Sequence, residues 1–97
     1  MVKLTCLNSV SKWIDEQTSQ YSGIYIFIDK LKSMIENKPE SGLYDPLLSG
    51  TGKTIPCRKQ AVSLSLFPYR YAIGYDHITA FYLSNETSAV IVRMNYS

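Results

Sequence analysis

The sequence predicts an α+β domain: an N-terminal strand, two helices, then a four-stranded antiparallel meander, with the helices packed on one sheet face. Three observations carry that expectation. Residues 61–96 hold four alternating runs, Ala61–Phe67, Tyr69–Tyr75, Ile78–Leu83 and Ala89–Tyr96. Period-2 alternation of β-branched and aromatic residues suits a half-buried strand, because successive side chains leave opposite faces of the pleat. The links, Pro68, Asp76-His77 and Ser84–Ser88, are short enough for hairpins and too short for parallel crossovers. Upstream, Ile24, Phe27, Ile28, Leu31, Met34 and Ile35 recur at three- and four-residue spacing, the stripe of an amphipathic helix.

Each element has its own signal. In Val2–Leu7, Val2, Leu4 and Cys6 alternate against Lys3 and Thr5, so a first strand forms there and pairs with the meander. Asn8, Ser9 and Ser11 offer capping oxygens for a helix running to about residue 20, with Val10, Trp13, Ile14 and Gln17 as its inner stripe. Ser22 is the expected cap of the second helix. Ile24, Ile26 and Ile28 also alternate as a strand would, but the helical stripe continues through Ile35, which decides for helix. Pro39 ends it, because the residue before proline avoids the α region. Residues 37–56 are punctuated by Pro39, Gly42, Pro46, Gly50, Gly52 and Pro56 and read as loop. In the first meander run Val62, Leu64 and Leu66 face one way. In the last, Val90, Val92, Met94 and Tyr96 oppose Ile91, Arg93 and Asn95.

Composition bounds the function. The 97 residues make one domain, 1–97, and 45% hydrophobic with 19% charged residues describes a folded chain rather than a disordered one. No apolar run approaches the roughly 20 residues that span a bilayer, and no signal-peptide pattern opens the chain, so a cytoplasmic protein without a membrane partner is expected. Cys6 and Cys57 lack metal-ligand spacing and are expected as reduced, buried thiols, with no metal and no cofactor. Residues 51–97 carry Lys53, Arg58, Lys59, Arg70 and Arg93 against only Asp76 and Glu86. That excess suits contact with a polyanion, and equally an ordinary solvated surface.

Ser49-Gly50-Thr51-Gly52-Lys53-Thr54 has the look of a phosphate-binding loop but fails its requirements. Leu47 stands where the first glycine belongs, and Pro56 follows in place of an amphipathic helix. His77, the only histidine, reads first as a turn residue and second as a proton carrier. Tyr69, Tyr71 and Tyr75 share one face of their expected strand, opposite Arg70, Ala72 and Gly74, as core, interface or base-stacking groups.

The order β-α-α-loop-meander resembles the small toxins of the RelE/ParE superfamily. Lys38-Pro39-Glu40-Ser41-Gly42 is similar to the Pro-x-x-Gly after their second helix, and Tyr69-Arg70-Tyr71-Ala72-Ile73 to their Tyr/Trp-Arg-hydrophobic strand. The ending Val90–Ser97 resembles the HigB-type hydrophobic-x-hydrophobic-x-Asp-Tyr-His, with Asn95 and Ser97 in place of the Asp and His. The resemblance implies metal-free endoribonuclease action on messenger RNA at the ribosome, an antitoxin partner, and a site in which Arg70 matches the strand arginine and Tyr96 the terminal tyrosine. Arg70 and Arg93 would then clamp phosphate, Tyr96 would orient or stack a base, and His77 or Lys59 would move protons. Lys53, Arg58, Lys59, Tyr69, Tyr71 and Tyr75 would bind RNA or a protein partner.

A second expectation is a non-enzymatic inhibitor or interaction protein of phage or mobile-element type, including gyrase-blocking ParE-like members. It would dock on a protein or nucleoprotein complex through tyrosine and arginine anchors. A third is an accessory subunit whose tyrosines complete an oligomer interface.

Overall fold

β1 (Lys3–Cys6) opens the chain and is followed by α1 (Asn8–Gln20) and α2 (Ile24–Asn37). The computed structural model describes residues 1–44, 47–48 and 54–97. After a 3-10 turn at Pro39–Ser41 come the short strands β2 (Leu43–Tyr44), β3 (Leu47–Leu48) and β4 (Thr54–Ile55). β5 (Arg58–Ser63), α3 (Arg70–Ile73), β6 (His77–Ser84) and β7 (Ser88–Tyr96) complete the order. The architecture is α+β. Among the described residues β3 pairs with β4, and the main sheet has five strands in the order β1-β7-β6-β5-β2. β1 lies parallel to β7, while the other pairings of this sheet are antiparallel.

The main sheet is therefore mixed and three of its strands, not four, form the meander. The expected second run, Tyr69–Tyr75, is not a strand. Ile73 and Gly74 donate their backbone N–H groups to Tyr69 and Arg70 carbonyls, closing a single helical turn. Gly74, at φ 83°, ends it in the left-handed region that glycine enters without a Cβ penalty. The preceding run is shorter than its alternation suggests, since β5 stops at Ser63. Leu64 is buried and its N–H donates to the Asp76 carbonyl, but Leu66 turns out to solvent. His77 begins β6 and is not a turn residue.

α1 and α2 cover the side of the sheet that carries Ile78, Ala80, Tyr82, Ile91 and Met94. α2 buries Ile24, Ile28, Leu31 and Ile35, the stripe read in the sequence, against β1, β5 and β6. Removing such an aliphatic side chain from water stabilises the fold by about 1.5–3 kcal/mol each. The expected caps are not used. Leu7 starts α1 by accepting from the Val10 and Ser11 N–H groups, and Gly23 at φ 86°, not Ser22, starts α2. Lys38 ends α2 ahead of Pro39, as the proline requires.

A β-bulge redirects the last strand. Phe81 pairs with Arg93 and Tyr82 with Ile91, leaving Val92 as the extra residue. Ala89 and Ile91 before it, and Met94 after it, consequently face the core. The strict alternation read in the sequence, which grouped Arg93 with Ile91, is broken there.

Candidate nucleic-acid interface on the outer sheet face

The bulge decides which side chains the sheet presents away from α1 and α2. Beyond Val92, Arg93 and Asn95 of β7 and Ser97 just past its end face outward, in step with Phe81, Thr79 and His77 of β6. β5 adds Lys59, Ala61 and Ser63 in the same register. Three rows result, running across the strands. The first is Lys59-Phe81-Arg93 and the second Ala61-Thr79-Asn95. The third is Ser63-His77-Ser97, in which His77 and Ser97 exchange both backbone hydrogen bonds at 2.9 Å.

Side chains directly opposite on adjacent strands stand about 5 Å apart at Cβ, so each row is a contact line. The second row, with Lys59 and Phe81 of the first and His77 and Ser97 of the third, walls an open cavity of about 490 Å³, with Leu43 of β2 at one side. Its floor is closed. Thr79 is only 7% exposed, and its hydroxyl lies 2.6 Å from that of Ser97, so its polarity is satisfied locally. Phe81 and Asn95 are half-buried and Arg93 is exposed. An aromatic ring between two cationic side chains, above a floor of hydroxyl and amide groups, is suited to stack a flat ring and hold the anionic groups attached to it.

The residues singled out in the sequence divide between two regions. Lys59 and Arg93 flank Phe81 on the outer face, and His77 lies two rows away on the same face. Arg70 and the tyrosines gather elsewhere, at the end of the molecule formed by the α1–α2 corner and residues 64–76. There Arg70 donates from Nη2 to Tyr71 Oη at 2.8 Å and lies 4.7 Å over that ring. This hydrogen bond holds the guanidinium pKa above its usual value. Tyr69 packs on Phe67 and Tyr21, with ring centroids 5.6 and 6.4 Å away.

Tyr96 sits on the helix side, not on the outer face. Its ring lies 5.1 Å from Trp13 and stacks on Tyr75 at 6.3 Å, and its hydroxyl donates to Gln17 Oε1 at 2.7 Å. Burial, with a lesser contribution from Tyr21, pushes the phenol up to about 12. A neutral phenol engaged in this way serves packing. Arg58 is half-buried, with Nη1 donating to the Gly42 carbonyl at 2.8 Å, and so braces the β2–β5 edge. Lys53 and most of the 49–54 loop lie outside the described residues.

Phe81, Thr79, Asn95 and Ser97 were not singled out as site residues. A signal for Phe81 existed: within Ile78–Leu83, Ile78, Ala80 and Tyr82 alternate against Thr79, Phe81 and Leu83, so a core-facing first set leaves Phe81 outside. Among the described residues, no group of three or more His, Cys, Asp or Glu side chains is placed to hold a metal ion. No helix among them is long and apolar enough to cross a membrane. No protein-family model, curated protein or solved structure matches the chain at a significant level.

Proposed function

We propose that the chain is a small toxin-like protein that engages single-stranded messenger RNA on the outer face of its sheet and cleaves it there. The observation that carries this reading is the row Lys59-Phe81-Arg93. A base stacked on Phe81 gains about 1–3 kcal/mol whatever its identity. Lys59 and Arg93, roughly 10 Å apart across two strand spacings, neutralise the phosphates on either side of it.

Cleavage in this reading uses side chains of the same sheet face. The 2′-oxygen attacks the adjacent phosphorus and the bond to the 5′-oxygen breaks, leaving a 2′,3′-cyclic phosphate and a 5′-hydroxyl. His77 accepts the proton of the 2′-hydroxyl, and Lys59 supplies one to the departing 5′-oxygen. Arg93 stabilises the charge that develops on the phosphoryl oxygens. Arg70 and Tyr96 have no part in this scheme, because both are engaged away from the outer face.

The test is equilibrium binding of a labelled single-stranded RNA, followed by end analysis of the same RNA. Phe81→Ala is expected to weaken binding about tenfold or more. His77→Ala is expected to leave binding in place and abolish new 2′,3′-cyclic ends. Absence of RNA binding at low salt would remove the reading. Binding without new ends would reduce it to an RNA-binding protein.

A further inference from the structure

We infer that the aromatic end of the molecule is a self-association surface, joining two copies of this chain about a two-fold axis. It stands apart from the outer sheet face and does not depend on the RNA reading. Residues 64–76 meet the α1–α2 corner through Phe67, whose ring lies 5.3 Å from Phe27 and which a Cβ at Gly23 would touch at 3.9 Å. Around that junction, large apolar side chains point to solvent. Leu66 is 89% exposed, Tyr71 82%, Ile26 58% and Tyr25 55%, with Tyr75 and Tyr69 about half exposed.

The area is what sets this patch apart. At about 200 Å² for a fully exposed tyrosine, the four tyrosines alone present on the order of 500 Å². Leu66 and Ile26 raise the total beyond the roughly 300–600 Å² of the largest patch on an ordinary monomer, toward the about 800 Å² per partner of a stable interface. Tyrosine, with tryptophan and arginine, is among the side chains enriched as anchors of such contacts.

The charges favour a second copy over another occupant. Arg70 and Asp76 lie in the same patch, with the carboxylate near enough to act on the guanidinium. A surface whose cation and anion fall on opposite sides of a two-fold axis is self-complementary under that rotation. Arg70 of each copy meets Asp76 of the other, twice. A strongly anionic partner would instead meet a patch whose positive charge is already balanced.

The experiment is sedimentation equilibrium on the full chain and on variants of exposed positions, each checked for an unchanged circular-dichroism spectrum. The wild type is expected to run as a dimer at tens of micromolar, at the weak end of the range that interfaces of about this size span. Leu66→Asp and Tyr71→Asp are each expected to run as monomers. Arg70→Asp and Asp76→Arg are each expected to weaken the dimer at least tenfold. An equimolar mixture of those two is expected to restore it, because every cross-pair then joins opposite charges. A wild type that stays monomeric to about 100 μM overturns the inference. So does a dimer indifferent to both charge reversals, or a mixture that fails to re-form. A monomeric wild type whose Leu66→Asp variant loses RNA affinity would assign the patch to RNA and overturn it as well.

Discussion

The Tyr96 hydroxyl donates to Gln17 Oε1 at 2.7 Å, fastening the end of β7 to the last turn of α1 across 79 positions of sequence. With Trp13 beneath the ring and Tyr75 stacked upon it, this contact closes the side of the core where α1 covers the sheet. Tyr96 thus links the last strand to the first helix.

Tyr96→Phe keeps the ring and removes the hydrogen bond. The expected cost is about 1 kcal/mol, or roughly 4–8 °C in Tm for a domain of this size, with RNA affinity unchanged. The pH dependence has a definite sign. The folded phenol stands at about 12, above the ordinary value of about 10. The folded state therefore holds the proton more tightly than the unfolded one. The stability this group lends is full below about pH 10 and falls as pH rises toward 12. Urea unfolding across that range should show a shallower decline in Tyr96→Phe than in the wild type.

Gly42 lies against Tyr82, which is fully buried and donates its hydroxyl to the Pro39 carbonyl while accepting from Gln60 Nε2 at 3.2 Å. A Cβ at position 42 would collide with that hydroxyl and come within 3.0 Å of the Lys59 carbonyl. Gly42→Ala should cost about 1–3 kcal/mol by overpacking. Tyr82→Phe should cost a similar amount, about 1–3 kcal/mol, by leaving the Pro39 carbonyl without its donor. Because Tyr82→Phe also removes the atom that the new methyl meets first, the double variant should lose less than the two costs together. Chemical denaturation of all four proteins gives the coupling, expected at about 0.5–3 kcal/mol.

The parts of the fold legible in the sequence are those with long, redundant patterns. Ile24, Ile28, Leu31 and Ile35 repeat over three turns, and α2 follows them despite the local strand-like alternation of Ile24, Ile26 and Ile28. Tyr69–Tyr75 alternated equally well and is one turn of helix, because Pro68 and Gly74 bound a stretch too short for alternation and helical spacing to be told apart. The bulge at Val92 leaves no mark in composition, since Val-Ile-Val-Arg suits a regular strand. It nevertheless sets which face Arg93 and Asn95 share with His77. The candidate site was legible only in fragments for the same reason. Lys59, His77 and Arg93 were visible as chemistry-bearing residues, but that Lys59 and Arg93 flank Phe81 and share a face with His77 is a property of register, which hydrogen-bond pairing across three strands determines.

Arg93 and Phe81 should separate in their salt dependence. Arg93→Ala removes one phosphate contact, so the slope of log affinity against log salt should fall by about 0.7 for a single strand. Phe81→Ala removes stacking, so affinity should drop by about 1–3 kcal/mol with the slope intact. Fluorescence anisotropy titrations at a series of salt concentrations read both quantities.

The most direct measurement of the central claim is a backbone amide chemical-shift titration of the protein with a short single-stranded RNA. The outer-face account expects perturbations concentrated at Lys59, Ala61, Thr79, Phe81, Arg93 and Asn95, with residues 66–75 and the α1–α2 corner unmoved. Perturbations confined to Leu66–Tyr75, or none at saturating RNA, would contradict it.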